Sequence, residues 1–142
     1  MSHALSKSER EAFLAGVHVG VLGLTHNDTP LAVPVWYDYE PGGDISVIMD
    51  LDSLKGRALA STRQFSLCAQ DEAPPYKYVT VTGEVTAIEA CPPDSNRAMA
   101  QRYLGEEFGD LYVEASGDIS NSRIYRLRPD RWYTVDYAKD FQ

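Results

Sequence analysis

The sequence predicts a mainly β fold, a small closed or half-open β-barrel with short helices, and three observations carry that prediction. Short segments rich in β-branched and aromatic residues recur along the chain, each bounded by turn-forming residues. Helical signals are brief and scattered between them, without the regular strand and helix alternation of a doubly wound sheet. The length of 142 residues, with 44% hydrophobic and 24% charged residues, suits one domain with its own core, and no linker or repeat divides it.

Each element has a local reason. Ser6 and Ser8 stand three residues before Glu9 and Glu11, the capping-box spacing, and Ala12, Phe13 and Leu14 give a short opening helix one apolar side, ending near Gly16. Residues 17–25, VHVGVLGLT, read as a first strand in which Gly20 and Gly23 mark a bulge or a close backbone approach. HNDT turns the chain, and residues 31–39, LAVPVWYDY, return as a second strand closed by PGGD. Residues 45–50 form a third strand, followed by a helix that Asp52 or Ser53 caps and that carries Leu54, Ala58 and Leu59 on one face. Residues 65–71 form a fourth strand and 76–89 a long, bulged fifth, broken by Cys91-Pro92-Pro93. A helix is expected over 95–105, the stretch 106–118 is ambiguous, and 122–128 with 131–137 form a last hairpin around Pro129-Asp130.

Composition excludes several function classes. Thirteen Lys and Arg against 21 Asp and Glu leave a net charge of -8, whose field repels a phosphate backbone, so no nucleic-acid partner is expected. No apolar run approaches the roughly 20 residues of a membrane span, so no membrane partner is expected either. Cys68 and Cys91 lack the close pairing of metal or redox motifs, and the first residues carry no apolar signal region, so a cytoplasmic location is expected. His3, His18 and His26 have no ligand spacing and no G-x-S-x-G or H-E-x-x-H occurs, which argues against hydrolysis and metal catalysis. Gly16, Gly20 and Gly23 lack the spacing and following helix of a dinucleotide fingerprint.

The informative stretch runs from strand three into its helix. There Ser53, the free N–H groups of the first turn and Lys55 can converge on one phosphate, with Arg57 and Arg63 following, provided Asp50 and Asp52 point away. The same residues equally suit a helix cap and a solvated lysine. Pro34 cannot donate to a ladder and belongs on an edge or beside a ligand, where its neighbours' backbone groups suit a flat heterocycle. Trp36, Tyr37 and Tyr39 cannot all face one core, so at least one belongs to a cleft or a subunit interface.

In this order, PLAVPVWYDY, ISVIMDLDSLKGRAL, FSLCAQDEAPPYKYVTVTGEV and YRLRPDRWYTVDY resemble the pyridoxamine 5'-phosphate oxidase-like split β-barrel superfamily, especially its branch that uses the deazaflavin coenzyme F420. The most specific parts are the S-x-K of Ser53 and Lys55 and the P-Y-x-Y-V-x-V-x-G run from Pro75 to Gly83. The resemblance implies a Greek-key split barrel holding its cofactor, F420 or alternatively FMN, in a cleft of a homodimer. By the same resemblance Ser53 and Lys55, with Arg57 nearby, hold the phosphate, the ring rests on the backbone of Pro34, Val35 and Trp36 and of Val47, Ile48 and Met49, and Trp132 comes from the other subunit. Leu54 stands where the oxidases have arginine, and Tyr78, by the same resemblance a candidate cofactor contact, where their R-Q-V-R-V-E-G strand has glutamine, which points away from pyridoxamine phosphate oxidation.

The implied activity is hydride transfer between the bound ring and a small unsaturated substrate, with no catalytic side chain. An FMN-dependent oxidoreductase and a non-catalytic flavin or deazaflavin carrier are the alternatives. Arg57, Arg63 and Lys77 are expected to meet the carboxylates of the deazaflavin tail. Substrate contacts are expected from residues 72–75 and 106–118.

Overall fold

The structure, a computed structural model, describes residues 3–141. Its elements in chain order are α1 (Lys7–Leu14), β1 (Gly20–His26), β2 (Thr29–Val35), β3 (Ile45–Asp50), α2 (Leu54–Thr62), β4 (Gln64–Asp71), β5 (Lys77–Ala90), α3 (Pro93–Ser116) and β6 (Ser122–Asp136), before a 3-10 turn at Tyr137–Phe141. Alternation builds the sheet: Leu22 and Leu24, Leu67 and Ala69, Val79 and Val81, and Val47 and Met49 turn inward while their neighbours face out. Each such Leu or Val contributes about 1.5–3 kcal/mol by leaving water.

The strands form one antiparallel sheet in the order β2-β1-β4-β5-β6-β3. It curls into a half-barrel, with β2 and β3 as its edges. The link between those edges is itself stitched to β3, because Asp38 and Ser46 exchange backbone bonds of 3.0 and 2.8 Å. Pro34 therefore stands on an edge strand, where its missing N–H breaks no ladder. Among the described residues no helix is long and apolar enough to cross a membrane.

Four elements differ from the sequence expectation. The first strand starts at Gly20 and the second ends at Val35, because side chains of α3 take the flanking backbone groups. Arg102 Nη2 donates to the carbonyls of Ala15 and Gly16 at 3.1 and 3.0 Å, and its Nε to that of Tyr37 at 3.2 Å. The Tyr103 hydroxyl donates to His18 O at 2.6 Å and accepts from Tyr37 N at 2.9 Å.

The expected last hairpin is instead one continuous strand, β6. Its ladder with β5 shifts register between Thr82, opposite Arg131, and Gly83, opposite Pro129, so Asp130 is an extra residue in a bulge. Gly83 permits this, since a Cβ there would lie 1.8 Å from Arg128 O.

The helix expected over 95–105 continues through the ambiguous stretch to Ser116, with a kink at Gly105, whose φ is 84°. Arg97 and Gln101 bond Asp110 at 2.5 and 2.9 Å, holding the second limb back against the first. Gly109 makes that contact possible, because a Cβ there would lie 2.7 Å from Gln101 Cα.

The chain ends are clasped to one another. Ser6 and Glu9 form the expected capping box, and Lys139 Nζ lies 2.9 Å from both Glu9 Oε1 and Ala4 O. The hydrogen bond from Lys139, with those from Ser6, lowers the Glu9 pKa from its ordinary 4.5 to about 2. A carboxyl shifted downward contributes stability above its unfolded value and loses it as pH falls through the folded one. The stability difference between wild type and Glu9→Gln, measured by thermal melts, is therefore expected to be full at neutral pH and to vanish between about pH 4.5 and pH 2.

Candidate functional site

The curl of the sheet brings the C-terminal ends of its two edge strands to opposite sides of one open cleft of about 610 Å³. Pro34, Val35 and Trp36 form one wall, and Ile48, Met49 and Asp50 the other. Lys55 stands at the start of α2, and α3 covers the cleft with Asn96, Met99, Tyr112 and Ser116.

Local bonding explains the start of α2. Ser53 is the N-cap, its Oγ accepting from Gly56 N at 3.1 Å and donating to Asp50 O at 2.6 Å. Gly56 is buried at the point where the helix meets β3 and β6, and its carbonyl accepts from the Tyr125 hydroxyl at 2.9 Å. The helix geometry leaves the N–H groups of Leu54 and Lys55 without intrahelical acceptors, so this end is electropositive. Lys55 itself makes no ion pair among the described residues. Asp50 Oδ1 is held by Asp52 N at 2.7 Å, and Asp52 lies outside the cleft.

The Trp36 ring stacks on Tyr103 at 5.1 Å and 9° and meets Tyr112 at 5.1 Å and 53°, so this wall is a fixed aromatic surface. Burial pushes the hydroxyls of Tyr37 and Tyr103 above the ordinary tyrosine range, and both stay protonated at neutral pH. Asn96 Nδ2 is buried and has no hydrogen-bond partner among the described residues. Among the described residues no group of three or more His, Cys, Asp or Glu is placed to hold a metal ion.

Of the residues singled out from the sequence, Pro34, Val35, Trp36, Ile48, Met49 and Lys55 line the cleft, and so does Asp50, which was expected to point away. The others do not. Val47 is in the core, and Ser53 spends both its donor and its acceptor on its own backbone neighbourhood. Arg57 is exposed on α2 beside a separate depression with His26 and Ser61, and Arg63 is the exposed left-handed C-cap of α2. Lys77 is paired with Asp136 at 3.8 Å and sits over the Phe13 ring, away from the cleft.

Tyr78 lies on the outer face of β5, on the side opposite the buried Val79. Trp132, expected to serve the other subunit, instead packs on its own core, with the Arg10 guanidinium 4.6 Å from its ring centre and Tyr39 against its edge. The bulge at Asp130 is the reason: it shifts the alternation of β6 by one, turning Trp132 inward and Tyr133 outward.

Sequence reasoning missed Asn96, Met99 and Ser122, and gave Tyr112 and Ser116 only as part of a segment. The segment 106–118 does border the cleft through Tyr112, Ser116 and Asp118, whereas 72–75 flanks a different depression. No local pattern in the sequence marks Asn96 as a cleft residue.

The sequence matches the pyridoxamine 5'-phosphate oxidase family over residues 6–136. No curated protein sequence matches the chain. Among solved structures, an F420 reductase is 22% identical with a TM-score of 0.75, over 87% of this chain and 94% of that one. A conserved hypothetical protein from Mycobacterium tuberculosis is 18% identical with a TM-score of 0.79, over 100% and 92% of the two chains. A FAD-binding protein from Mesorhizobium loti is 19% identical with a TM-score of 0.63, over 92% and 94%. These likenesses are of fold, and they agree with the curled six-stranded sheet and its helices. Since the family match spans all six strands, the chain belongs to the pyridoxamine 5'-phosphate oxidase family, with that family's split β-barrel fold.

Proposed function

We propose that the protein is an oxidoreductase that holds coenzyme F420 in the cleft between the sheet edges. The observation that carries this reading is Lys55, an ammonium without an ion pair among the described residues, beside the electropositive start of α2 in a cleft that also holds the rings of Trp36 and Tyr112 and the side chains of Asp50 and Asp118. The residues present fit the group. A volume of about 610 Å³ falls within the usual range of cofactor sites, and Lys55 with the free first-turn N–H groups of α2 offers donors to a phosphate. The bound deazaflavin supplies the hydride chemistry.

The chain's own part is binding and orientation. Lys55 and the first-turn N–H groups of α2 hold the phosphate, and the backbone at Pro34 and Met49 supports the ring. Trp36, Met99 and Tyr112 limit water around it. The choice of F420 over FMN rests on the Pro75–Gly83 run and is supported by the fold likeness to an F420 reductase. Side-by-side titration of the apoprotein is expected to show tighter binding of F420. Tighter binding of FMN would replace this reading with an FMN-dependent oxidoreductase on the same barrel. A redox assay of the loaded protein separates an enzyme from a carrier.

A second copy of the chain belongs to this reading. Register places Pro34, Val21, Cys68, Thr80 and Tyr133 in one row across the outer face of five strands, without a charge, in a chain of net charge -8. The row begins at the cleft wall, at Pro34, so a partner packed there also borders the cofactor. Light scattering is expected to give a dimer at micromolar concentration, and Tyr133→Glu a monomer with weakened cofactor binding. A wild-type monomer overturns this part.

A further inference from the structure

The second limb of α3, residues 106–116, brings Tyr112 and Ser116 to the cleft, yet little holds it there. Two glycines with positive φ stand at its ends, Gly105 at 84° and Gly117 at 69°, so helix continuity does not fix its direction. Apolar burial does not fix it either. Phe108 and Leu111 are 65% and 53% exposed, and Gly109 is the limb's one buried residue.

Polar contact supplies the rest of its seat. Asp110 Oδ1 accepts from Arg97 Nη1 at 2.5 Å and from Gln101 Nε2 at 2.9 Å, both on the first limb. Among the described residues no other side chain of the limb forms a hydrogen bond or ion pair outside it. Ser116 turns back on Tyr112 O, and the Tyr112 ring leans on Trp36. The side chains of Arg97 and Asp110 are 43% and 38% exposed, so theirs is a surface pair, whose breaking costs little. A helical segment between two glycines, tied by one weak pair, has the build of a hinged lid.

We propose that residues 106–116 are a lid on the cleft, latched by Asp110, and that this latch sets how often the lid opens to admit and release the cofactor. The proposal rests on the reading of the cleft as a cofactor site. A latch closed in both the empty and the loaded protein, when weakened, raises the open fraction of both by the same factor. Association and dissociation then quicken together while the equilibrium affinity stays. A residue that touches the ligand changes affinity instead, and one that only supports the fold lowers Tm.

Stopped-flow binding of F420, or of FMN if that is the tighter ligand, compares wild type with Asp110→Ala and Arg97→Gln. In Asp110→Ala both rates are expected to rise about fivefold, the factor an exposed pair can hold back, with Kd within about twofold and Tm within about 2 °C of wild type. Arg97→Gln, which keeps the Gln101 bond, is expected to do the same by a smaller factor. The charge-swapped double variant, Arg97→Asp with Asp110→Arg, re-forms the pair and is expected to bring both rates back toward wild type. Amide hydrogen exchange of residues 106–116 in the ligand-free protein is expected to quicken in Asp110→Ala while the sheet is unchanged.

Unchanged rates in Asp110→Ala overturn the proposal, as do rates that stay fast in the swapped variant or a faster dissociation alone. Loss of folding in both single variants overturns it too, because the pair then belongs to the fold. A wild-type protein that binds neither F420 nor FMN overturns the reading of the cleft and the lid's function with it. The exchange measurement needs no ligand, so unchanged exchange removes the latch alone, and the two failures are distinguishable.

Discussion

Gly83→Ala is expected to destabilise the protein by about 3 kcal/mol, lowering Tm by roughly 10 °C. The added methyl would stand 1.8 Å from Arg128 O and 3.0 Å from the carbonyl carbon. These are backbone atoms inside a paired strand, so neither can rotate away as a side-chain end would. Relief requires the bulge at Asp130 to open, which breaks ladder bonds on both sides of it. Thermal or urea unfolding checks the prediction, and a Tm within about 2 °C of wild type contradicts it. Because the bulge also decides that Tyr133 faces outward, the same variant is expected to weaken the dimer at concentrations where it remains folded.

Lys55→Ala is expected to weaken cofactor binding by about 1.5–3 kcal/mol, the range for a hydrogen bond to a charged group, with Tm of the ligand-free protein unchanged. The separation follows from the structure, in which Lys55 has no ion pair among the described residues to lose on folding. Titration at matched ionic strength measures it, and unaltered affinity returns Lys55 to the solvent. Ser53→Ala is expected to behave in the opposite way. Its hydroxyl is engaged with Gly56 N and Asp50 O, so the loss is about 1 kcal/mol of stability from the missing cap, with a smaller effect on affinity.

The parts of the fold that were legible in sequence are those decided within a few residues. The Ser6 and Glu9 capping box, the alternation of β3 and the Ser53 cap of α2 each depend on near neighbours, and each stands where the pattern placed it. Legibility fails where distant residues decide. The limits of β1 and β2 are set by Arg102 and Tyr103, far along the chain, which claim the backbone groups a longer ladder would have used. Gly105 closes the helix expected from the sequence and Gly109 lies in the ambiguous stretch, yet one makes the kink of α3 and the other its close packing.

At the cleft, the edge-strand proline and the cap-lysine spacing were readable because each states its own geometry. The covering wall was not, since Asn96 and Tyr112 meet only through a helix folded back on itself. The inward turn of Trp132 shows the same limit. Pro129-Asp130 signals a break in a strand, and a turn and a bulge share that signal while sending the next ring in opposite directions.

The place of β6 in the sheet also has a consequence for the protein's biosynthesis. β3 pairs along its length with β6 alone, Ile45 with Leu127 through Asp50 with Ser122. While the chain is emerging from the ribosome, β1, β2, β4 and β5 can already associate, but β3 has no strand to join until residues 122–127 have been made. Until then it offers an unpaired edge bearing Ile45, Val47 and Met49, residues that the finished barrel buries. A nascent chain stalled before residue 122 is therefore the aggregation-prone form of this protein, and closure of the barrel waits for β6.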